Sequence, residues 1–352
     1  MQPRILVKFP LRYWGIFLSR HDLYIPRTDE FLLNHNRSGL LLALKALGLP
    51  KGSVVGLMAY NCHTVMNAVE NAGLNPVFID VTMNLRVDLV DLQKKKDRLS
   101  ALVISHLFGL ANDIDAVKKV CPDIPIVEDC AHAYGMGLCG TRGDFAVFSI
   151  GAGKFPSIGD GGILRVNNDR YFNEVKRLYD LIPKYNLKEE CLLFLKLVVM
   201  HVLYLPVIYT CVTLPLLKNK GNVGSRKEKV KLSKMSDGVS AIYNRIIPQI
   251  EDQKQRQQKN AACLMDFLSK RKDVRLLEMD EKSSNCFMFP VYCDSPELLK
   301  QEFRHKGIET ETHFRHCILW AKEYGYRDGE CPTAERLVKH LLMIPTYKEI
   351  KL

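Results

Sequence analysis

Short apolar runs separated by stretches of helical periodicity fill the first half of the 352-residue chain. Each run has the length of one buried strand, and the early runs have helical patterns between them. Strands that alternate with helices predict a parallel sheet covered by helices on both faces, the α/β arrangement. The strand-like runs are residues 54–59, 76–81, 101–106, 124–127, 145–149 and 162–166, and the helical patterns are residues 40–47, 64–72 and 113–121.

The pattern changes after residue 166, where helices and strands become less regular. We divide the chain into a large α/β domain at residues 1–170, an insertion at residues 171–235, and a long helix with a smaller C-terminal α+β domain at residues 236–352. The elements predicted in this half are helices at residues 171–181, 236–268, 296–305 and 333–342, and strands at residues 285–292 and 307–312.

Lys154 lies in a glycine-rich segment that a phosphate-binding P-loop would also contain. The P-loop pattern fails here, because Phe148 stands where its first glycine should be and Phe155 where Ser or Thr should follow. A lysine among glycines is by itself usually a solvated loop residue, so its neighbours in sequence decide the interpretation.

Asp129 follows a strand-like run about twenty residues before Lys154. Open α/β sheets bind ligands just outside the carboxyl ends of their strands, although an aspartate there can also cap a helix. A carboxylate at one strand end, the hydroxyl of Ser149 on the next strand, and a lysine five residues later form an ordered set. An enzyme that holds pyridoxal phosphate needs this set of groups.

Four blocks of sequence resemble the DegT/StrS family of sugar aminotransferases, which are fold-type I enzymes of the aspartate aminotransferase superfamily. The blocks are residues 105–109, residues 127–135 with the Glu-Asp pair, residues 143–162 with the lysine and a Gly-Gly pair, and residues 343–347. The resemblance covers most of the chain. It implies a large, mainly parallel sheet domain between helices, a smaller C-terminal α+β domain, and pyridoxal 5'-phosphate as the cofactor.

The resemblance also implies roles for four side chains. Lys154 would bind the cofactor covalently and move a proton, and Asp129 would pair with the protonated ring nitrogen. Ser149 would bind the phosphate. His132, expected one helical turn after Asp129, matches a family Gln or His near the phenolic oxygen. A histidine that only bonds to backbone is the alternative.

The phosphate loop of the family falls on residues 35–39, at the start of a predicted helix, where free N–H groups favour phosphate. Arg37 and Ser38 are the candidate phosphate ligands in this loop. Arg37 replaces the usual threonine, and it either binds phosphate through charge-assisted bonds or is a surface residue.

Two other family positions differ in this chain. The aromatic ring that usually stacks on the cofactor falls on Cys62, with Tyr60 and His63 as alternatives. The Gly-x-Asn-x-Arg element that reaches the partner subunit's cofactor matches residues 230–234, which contain neither Asn nor Arg.

Related dehydratases replace the lysine, so a retained Lys154 favours transamination. The resemblance implies a homodimer that moves an amino group, from glutamate as the expected donor, to a nucleotide-linked keto-sugar in surface polysaccharide or glycolipid biosynthesis. Two alternatives remain open. One is a pyridoxal-phosphate enzyme acting on a lipid-linked substrate, and the other is a degenerate, non-catalytic, membrane-bound homologue.

The formal charge of +11 predicts anionic partners. Nucleic acid is not expected, because no binding module is evident. Eleven cysteines without C-x-x-C pairs indicate a reducing compartment. We expect no bound metal, and we interpret His313 and His316 as surface residues. The first twelve residues do not have the pattern of a secretory signal.

Residues 191–217 are exceptionally apolar and contain no Asp or Glu, and residues 197–217 also lack Lys and Arg. The length suits a bilayer crossing. However, a crossing would separate the two halves of the enzyme, and Pro206 and Pro215 interrupt a helix. The segment is either a bent hairpin that enters one leaflet or part of the core or a dimer interface.

We expect monotopic attachment to an anionic membrane at its cytoplasmic face. The basic residues at 218–234 would attract lipid headgroups. Arg12, Tyr13, Trp14 and Phe17 could add an anchor at the interface.

Overall fold

The computed structural model describes residues 14–19, 22–218, 225–280 and 282–348. Its strands are β1 (Glu30–Leu33), β2 (Val54–Met58), β3 (Asn75–Ile79), β4 (Ala101–Ser105), β5 (Ile126–Cys130), β6 (Phe145–Ser149), β7 (Gly162–Val166), β8 (Val274–Leu276), β9 (Met288–Cys293) and β10 (Leu341–Pro345). Its α-helices are α1 (Trp14–Ser19), α2 (Asn36–Ala46), α3 (His63–Asn71), α4 (Leu89–Lys95), α5 (Ile114–Val120), α6 (Phe172–Asp180), α7 (Leu187–Leu203), α8 (Pro206–Ile208), α9 (Leu214–Lys218), α10 (Asp237–Ile246), α11 (Ile250–Ser269), α12 (Pro296–His305), α13 (Cys317–Lys322) and α14 (Pro332–His340).

Among the described residues, seven strands form one large sheet in the order β1-β7-β6-β5-β4-β2-β3. Strands β3, β2, β4, β5 and β6 run parallel, as the alternation of strands and helices predicts. Strand β7 is antiparallel to both β6 and β1, and it returns along β6 after the short connection at residues 150–161. The strands are almost fully buried, so the sheet is the centre of the main core.

A second, antiparallel sheet in the order β10-β9-β8 lies in the C-terminal part of the described chain. It packs with α11 and α12 around a separate cluster of buried side chains that includes Leu264, Phe289 and Phe303. The α/β class, with a large mainly parallel sheet and a smaller α+β unit, is therefore confirmed. The proposed domain boundaries remain a prediction.

Several predicted elements of this C-terminal half are wrong in detail. The long helix at residues 236–268 is two helices, α10 and α11, with a 3-10 turn at Ile247–Gln249 between them. Pro248 lies in that turn, and proline cannot donate the hydrogen bond that a continuous helix needs there. Residues 307–312 form isolated bridges, such as that from Glu311 to Met343, and no strand. Helix α14 ends at His340, and β10 begins at the next residue, Leu341.

Two predictions around β5 also need correction. The strand begins at Ile126 and ends at Cys130, so Asp129 is a paired residue near the end of the strand and does not follow it. His132 lies in a tight turn, closed by a hydrogen bond from the Ala133 N–H to the Cys130 carbonyl, and not one helical turn into a helix.

The glycine at position 162 allows β7 to approach the start of α2. A Cβ atom built there would lie 2.4 Å from the carbonyl carbon of His35 and 2.5 Å from the amide nitrogen of Asn36. Both are backbone atoms, which cannot move aside cheaply. Gly162 therefore fixes the position of the α2 N-terminus against the sheet.

We predict that Gly162→Ala lowers the free energy of unfolding by about 1–3 kcal/mol, as overpacked sites do. Gly137→Ala is the matched control, because a Cβ atom at Gly137 would meet no heavy atom within 4 Å. Urea denaturation followed by circular dichroism measures both variants. Equal stability of the two variants would contradict this account of the contact.

The apolar segment forms two helical arms with a bend of 71° between Leu187–Leu203 and Pro206–Leu216. The second arm contains α8, a π-helical turn at Tyr209–Thr213, and the start of α9. In the described part of the chain no single helix is long and apolar enough to cross a membrane. The two arms of this bent pair together have the length and the apolar composition that a crossing needs. We call residues 187–216 the hairpin.

Candidate active site

The carboxyl ends of β4, β5 and β6 and the N-termini of α2 and α3 surround a cavity of about 260 Å³. This is the edge of the sheet where open α/β folds bind ligands. The chemically active side chains in its wall are Asn36, Arg37, Asn61, Cys62, Ser105, Asp129, His132, Ser149 and Lys154, and Phe314 supplies an aromatic ring. The structure thus brings together six of the seven residues predicted from sequence.

Asp129 is held by donors from three different elements. The side-chain amide of Asn36, at the start of α2, donates to Oδ1 at 3.2 Å, and the Ala131 N–H donates to the same oxygen at 3.2 Å. The Ser105 hydroxyl, at the end of β4, donates to Oδ2 at 3.0 Å. Asn61 in turn donates to the Ser105 hydroxyl oxygen at 2.9 Å. These bonds fix the carboxylate in the buried floor of the cavity.

Lys154 and His132 form the reactive pair of the cavity. The Lys154 Nζ lies 2.6 Å from the His132 Nε2, and the Phe108 N–H donates to Nδ1 of the same ring at 3.3 Å. A ring that accepts at Nδ1 carries its proton on Nε2, so it donates to the lysine nitrogen. This bond requires an uncharged amine on Lys154.

The electrostatics of the pair agree with this assignment. Burial lowers the pKa of the Lys154 ammonium, and the negative charges of Cys62 and Asp129 oppose that shift only in part. Burial, together with the nearby Lys154 and His313, holds the pKa of His132 well below its ordinary value. Each shift favours the neutral form of its group, and the neutral form of a lysine amine is the nucleophilic one.

An aromatic cluster surrounds the His132 ring. Phe314 is stacked on it with an interplanar angle of 9°, and Phe108 and Phe287 lie against it at ring-centroid distances of 4.9 and 5.2 Å. His313 is part of this cluster, with its ring 5.8 Å from that of His132. The interpretation of His313 as a surface residue is therefore wrong. Its i and i+3 spacing with His316 gave no indication of this contact.

The phosphate side of the cavity contains some of the expected groups. Ser149 is buried, and its hydroxyl oxygen accepts a hydrogen bond from the Gly151 N–H at 3.4 Å. Arg37 is half-buried in the cavity wall, and a guanidinium nitrogen lies 3.9 Å from a carboxylate oxygen of Glu228. Ser38 does not line the cavity. Its hydroxyl donates to the Asn34 side chain at 2.7 Å within the core, because it lies on the inner face of α2.

Cys62 lies at the N-cap of α3 and lines the cavity. Burial by itself would raise the pKa of this thiol, but the hydrogen bonds to His63 and Thr64 and the proximity of His63 and Lys154 outweigh burial and lower the pKa. The two alternatives for the aromatic position are occupied elsewhere. The Tyr60 hydroxyl donates to the His313 carbonyl, and the His63 ring packs on Trp320.

Glu128, the partner of Asp129 in the Glu-Asp pair, has a structural role. Its carboxylate accepts from the backbone N–H groups of Gly140, Arg142 and Gly143 and from His106 Nε2 at 2.9 Å. Burial would raise the pKa of Glu128, but these donors outweigh it and lower the pKa. The bonds close the loop between β5 and β6, so they position both strand ends of the site.

The stretch that replaces the family's Asn/Arg element runs beside β1 and not into the cavity. The Lys231 carbonyl accepts from the Asn34 side chain at 2.9 Å, and Lys234 forms a bridge with Leu33. The Lys231 ammonium is exposed and pairs with Glu189 at 3.0 Å.

Sheet order, the aspartate at the end of β5 and the lysine in the cavity wall define a fold-type I pyridoxal-phosphate enzyme. The model of the DegT/DnrJ/EryC1/StrS aminotransferase family matches residues 33–352. The chain therefore belongs to this family, which confirms the resemblance and, at the level of the family, the expected cofactor.

Curated relatives align over part of their length. GDP-perosamine synthase from Vibrio cholerae is 30% identical over 181 residues, which are 46% of this chain and 49% of that protein. A dTDP-3-amino-3,4,6-trideoxy-alpha-D-glucose transaminase from Micromonospora megalomicea subsp. nigra is 30% identical over 156 residues, 42% of this chain and 41% of that protein. The aligned stretch thus spans about half or less of each of these two relatives.

Solved structures match nearly the whole chain. The sugar aminotransferase CalS13 from Micromonospora echinospora superposes with a TM-score of 0.73 at 19% identity, covering 98% of this chain and 95% of that one. The PLP form of a putative sugar aminotransferase, Spr1654 from Streptococcus pneumoniae, has a TM-score of 0.73 at 16% identity, covering 99% and 94%. At this level of identity the likeness establishes the fold.

We predict that the rate at which the cofactor-free protein captures pyridoxal phosphate covalently rises with pH, with the midpoint of the rise below pH 10.5, the ordinary pKa of lysine. Only the neutral amine reacts, so a lowered pKa moves the rise of the rate to lower pH. The growth of the visible absorbance band at each pH gives the rate.

The variant Cys62→Ala tests the direction of the change in the pKa of Lys154 in the same experiment. The Cys62 thiolate raises the pKa of Lys154, so its removal is expected to move the rise to still lower pH. A midpoint at or above pH 10.5 would show that the pKa of Lys154 is not lowered.

Proposed function

We propose that the protein is a pyridoxal-phosphate-dependent aminotransferase that transfers an amino group from glutamate to a nucleotide-linked keto-sugar. One observation carries the proposal: the amine of Lys154, 2.6 Å from His132, and the carboxylate of Asp129 face one cavity. A non-catalytic homologue would have no need to keep a half-buried lysine amine next to His132, since covering a polar group costs free energy.

The residues around the cavity fit the cofactor. Bound pyridoxal phosphate supplies a ring that accepts the electron pair left when a substrate carbon loses its proton. Asp129 Oδ2 receives one hydrogen bond from the described residues and has room to accept a second, from a ring N–H. The carboxylate would hold that proton in place and stabilise the positive nitrogen.

Lys154 would carry the proton between substrate and cofactor carbons as the general base and then the general acid. The Nε2–H of His132 would orient the lysine amine. The Ser149 hydroxyl and the Arg37 guanidinium would bind the phosphate, and Phe314 and Cys62 would bound the cavity around the ring. Ser38 would act indirectly, by fixing the first turn of α2.

The sugar acceptor is supported by the names of the relatives. The aligned proteins include a GDP-perosamine synthase and a dTDP-amino-sugar transaminase, and a further relative is named a spore coat polysaccharide biosynthesis protein. We therefore place the acceptor among nucleotide-linked keto-sugars and the pathway in surface polysaccharide or glycolipid synthesis.

Asp129→Ala is expected to lower the rate at which glutamate is converted to 2-oxoglutarate by about 10²–10³-fold, the usual loss for one charge-stabilising group. Ser105→Ala should cost about tenfold, because it removes one of the bonds that orient the carboxylate. Both variants should keep the wild-type circular dichroism spectrum. An Asp129→Ala rate within threefold of wild type would reduce Asp129 to a structural residue.

We also propose a homodimer, since symmetric dimers are the commonest assemblies. The family's cross-subunit Asn and Arg are missing, and Lys231 is exposed near the same place in the sequence. Light scattering of the purified protein tests the dimer, and a fully active monomer would refute it.

We further propose that the enzyme works at the cytoplasmic face of a membrane. All eleven cysteines are free thiols, which suits a reducing compartment. The bent pair of apolar helices supplies the contact. The same pair favours, as a second candidate acceptor, a keto-sugar carried on a lipid, because Leu197 of the hairpin packs on Gly159 in the cavity wall.

A further inference from the structure

Helix α7 has two apolar faces, of which only one is covered. The inner face buries Leu193 and Leu197 against the protein. The outer face has a stripe of aliphatic side chains at helical spacing that are 37–57% exposed. The members of this outer stripe are Leu192, Leu195, Val199 and Val202. A helix that is apolar all round is normally buried or in contact with lipid.

The second arm extends the exposed apolar surface beyond the bend. The exposed aliphatic side chains at the bend and on the second arm are 40–75% accessible: Leu205 at the bend, and Val207, Val212 and Leu216 on the arm. The Thr213 hydroxyl donates to the Leu203 carbonyl at 2.7 Å and ties the two arms together. Contiguous apolar surfaces of this kind mark sites of membrane or protein contact.

The inner side of the hairpin contacts both the large α/β part and the C-terminal part of the protein. A Cβ atom on Gly159 would lie 2.4 Å from Leu197 Cδ2, so α7 touches the loop that lines the cofactor cavity. On the second arm, the buried Tyr209 hydroxyl donates to Glu309. Glu190 accepts from the Ser236 hydroxyl at 2.6 Å and from the Asp237 N–H at 3.0 Å.

These contacts exclude a bilayer crossing by the hairpin. A crossing helix exposes its whole circumference to lipid or to other crossing helices, whereas α7 and the second arm each commit one side to the folded enzyme. A 17-residue helix such as α7 is about 25 Å long, so it can lie along a membrane surface with its outer stripe in one leaflet.

Helix α1 adds a second element beside the hairpin. Phe17 is buried against Phe194 of α7, with ring centroids 5.1 Å apart, and Gly238 of α10 makes room for its ring. Leu18, the next residue, is exposed. Of the residues expected to form an N-terminal anchor, Arg12, Tyr13 and the side chain of Trp14 lie outside the described part of the structure, and Phe17 is buried against the hairpin.

The chemistry of the outer stripe fits lipid better than a protein partner. Protein interfaces are enriched in Tyr, Trp, Met and Arg and depleted in Lys. The stripe contains only Leu and Val, and the exposed side chains of Lys188 and Lys196 lie on the same helix. Lysine stems extend along apolar surfaces and place the ammonium at headgroup level, where anionic lipids attract it.

We infer that the outer face of the hairpin, together with Leu18 of α1, docks on one leaflet of an anionic bilayer and holds the cofactor cavity at the membrane. The inference rests on the membrane location proposed above and does not depend on the transamination. It assigns the docking to particular side chains and fixes which side of the enzyme faces lipid.

The first test is co-sedimentation of the cofactor-loaded protein with vesicles of phosphatidylcholine containing phosphatidylglycerol. The triple variant Leu192→Ser, Leu195→Ser and Val199→Ser should bind at least tenfold more weakly. The matched control, Val90→Ser, Leu298→Ser and Leu319→Ser, changes exposed aliphatic residues outside the hairpin and should bind like wild type. Binding should weaken in high salt and on vesicles of phosphatidylcholine alone.

The second test uses the exposed cysteines as reporters. Cys191 lies on α7 and Cys263 on α11, outside the hairpin. An environment-sensitive fluorophore on Cys191, with Cys211 and Cys263 changed to Ser, should shift to the blue when vesicles are added. The same fluorophore on Cys263, with Cys191 and Cys211 changed to Ser, should not shift.

Three outcomes would overturn the inference. They are vesicle binding that the hairpin variant does not weaken, equal shifts from the two labelled sites, and a hairpin variant that changes from dimer to monomer in light scattering without any change in vesicle binding. The visible cofactor band and the glutamate reaction are measured on the same samples. A failure of docking is thereby distinguished from a failure of the proposed activity.

Discussion

The geometry of the site depends on the hydrogen bonds that three elements of the structure donate to the Asp129 carboxylate. Donors from the start of α2, the end of β4 and the turn after β5 reach the same two oxygens. The carboxylate can keep its place only if β4 and β5 pair in parallel register and α2 begins against the sheet. Gly162 permits that last approach. The position of one side chain therefore depends on the order of the sheet.

The chain sequence predicts the elements that local pattern controls. Buried parallel strands have the pattern of apolar runs, so the sequence locates β2 to β7 to within a few residues. Asp129, Ser149 and Lys154, which the sequence singles out by their spacing, line one cavity. Elements that depend on distant contacts were not found. The edge strand β1 is only four residues long. Helical periodicity in the sequence continues across the break between α10 and α11 and into β10, so the sequence predicts helix at both places.

The missed site residues have the same explanation. Phe314 reaches His132 only because the C-terminal half folds back over the large sheet, and nothing in its local sequence marks it. Asn36 and Ser105 could have been proposed, because the first lies in the suspected phosphate loop and the second opens the 105–109 block. Ser38 was predicted to bind phosphate but does not line the cavity. It lies on the inner face of α2, which directs its side chain into the core.

The central claim is that Lys154 and Asp129 act on a bound cofactor to exchange amino groups. A single-turnover titration of the purified, cofactor-loaded protein tests it most directly. The account predicts that L-glutamate removes the visible band while one equivalent of 2-oxoglutarate appears for each cofactor, and that a nucleotide-linked keto-sugar then restores the band. A band that no amino acid donor changes, in protein that holds a full complement of cofactor, would contradict the account.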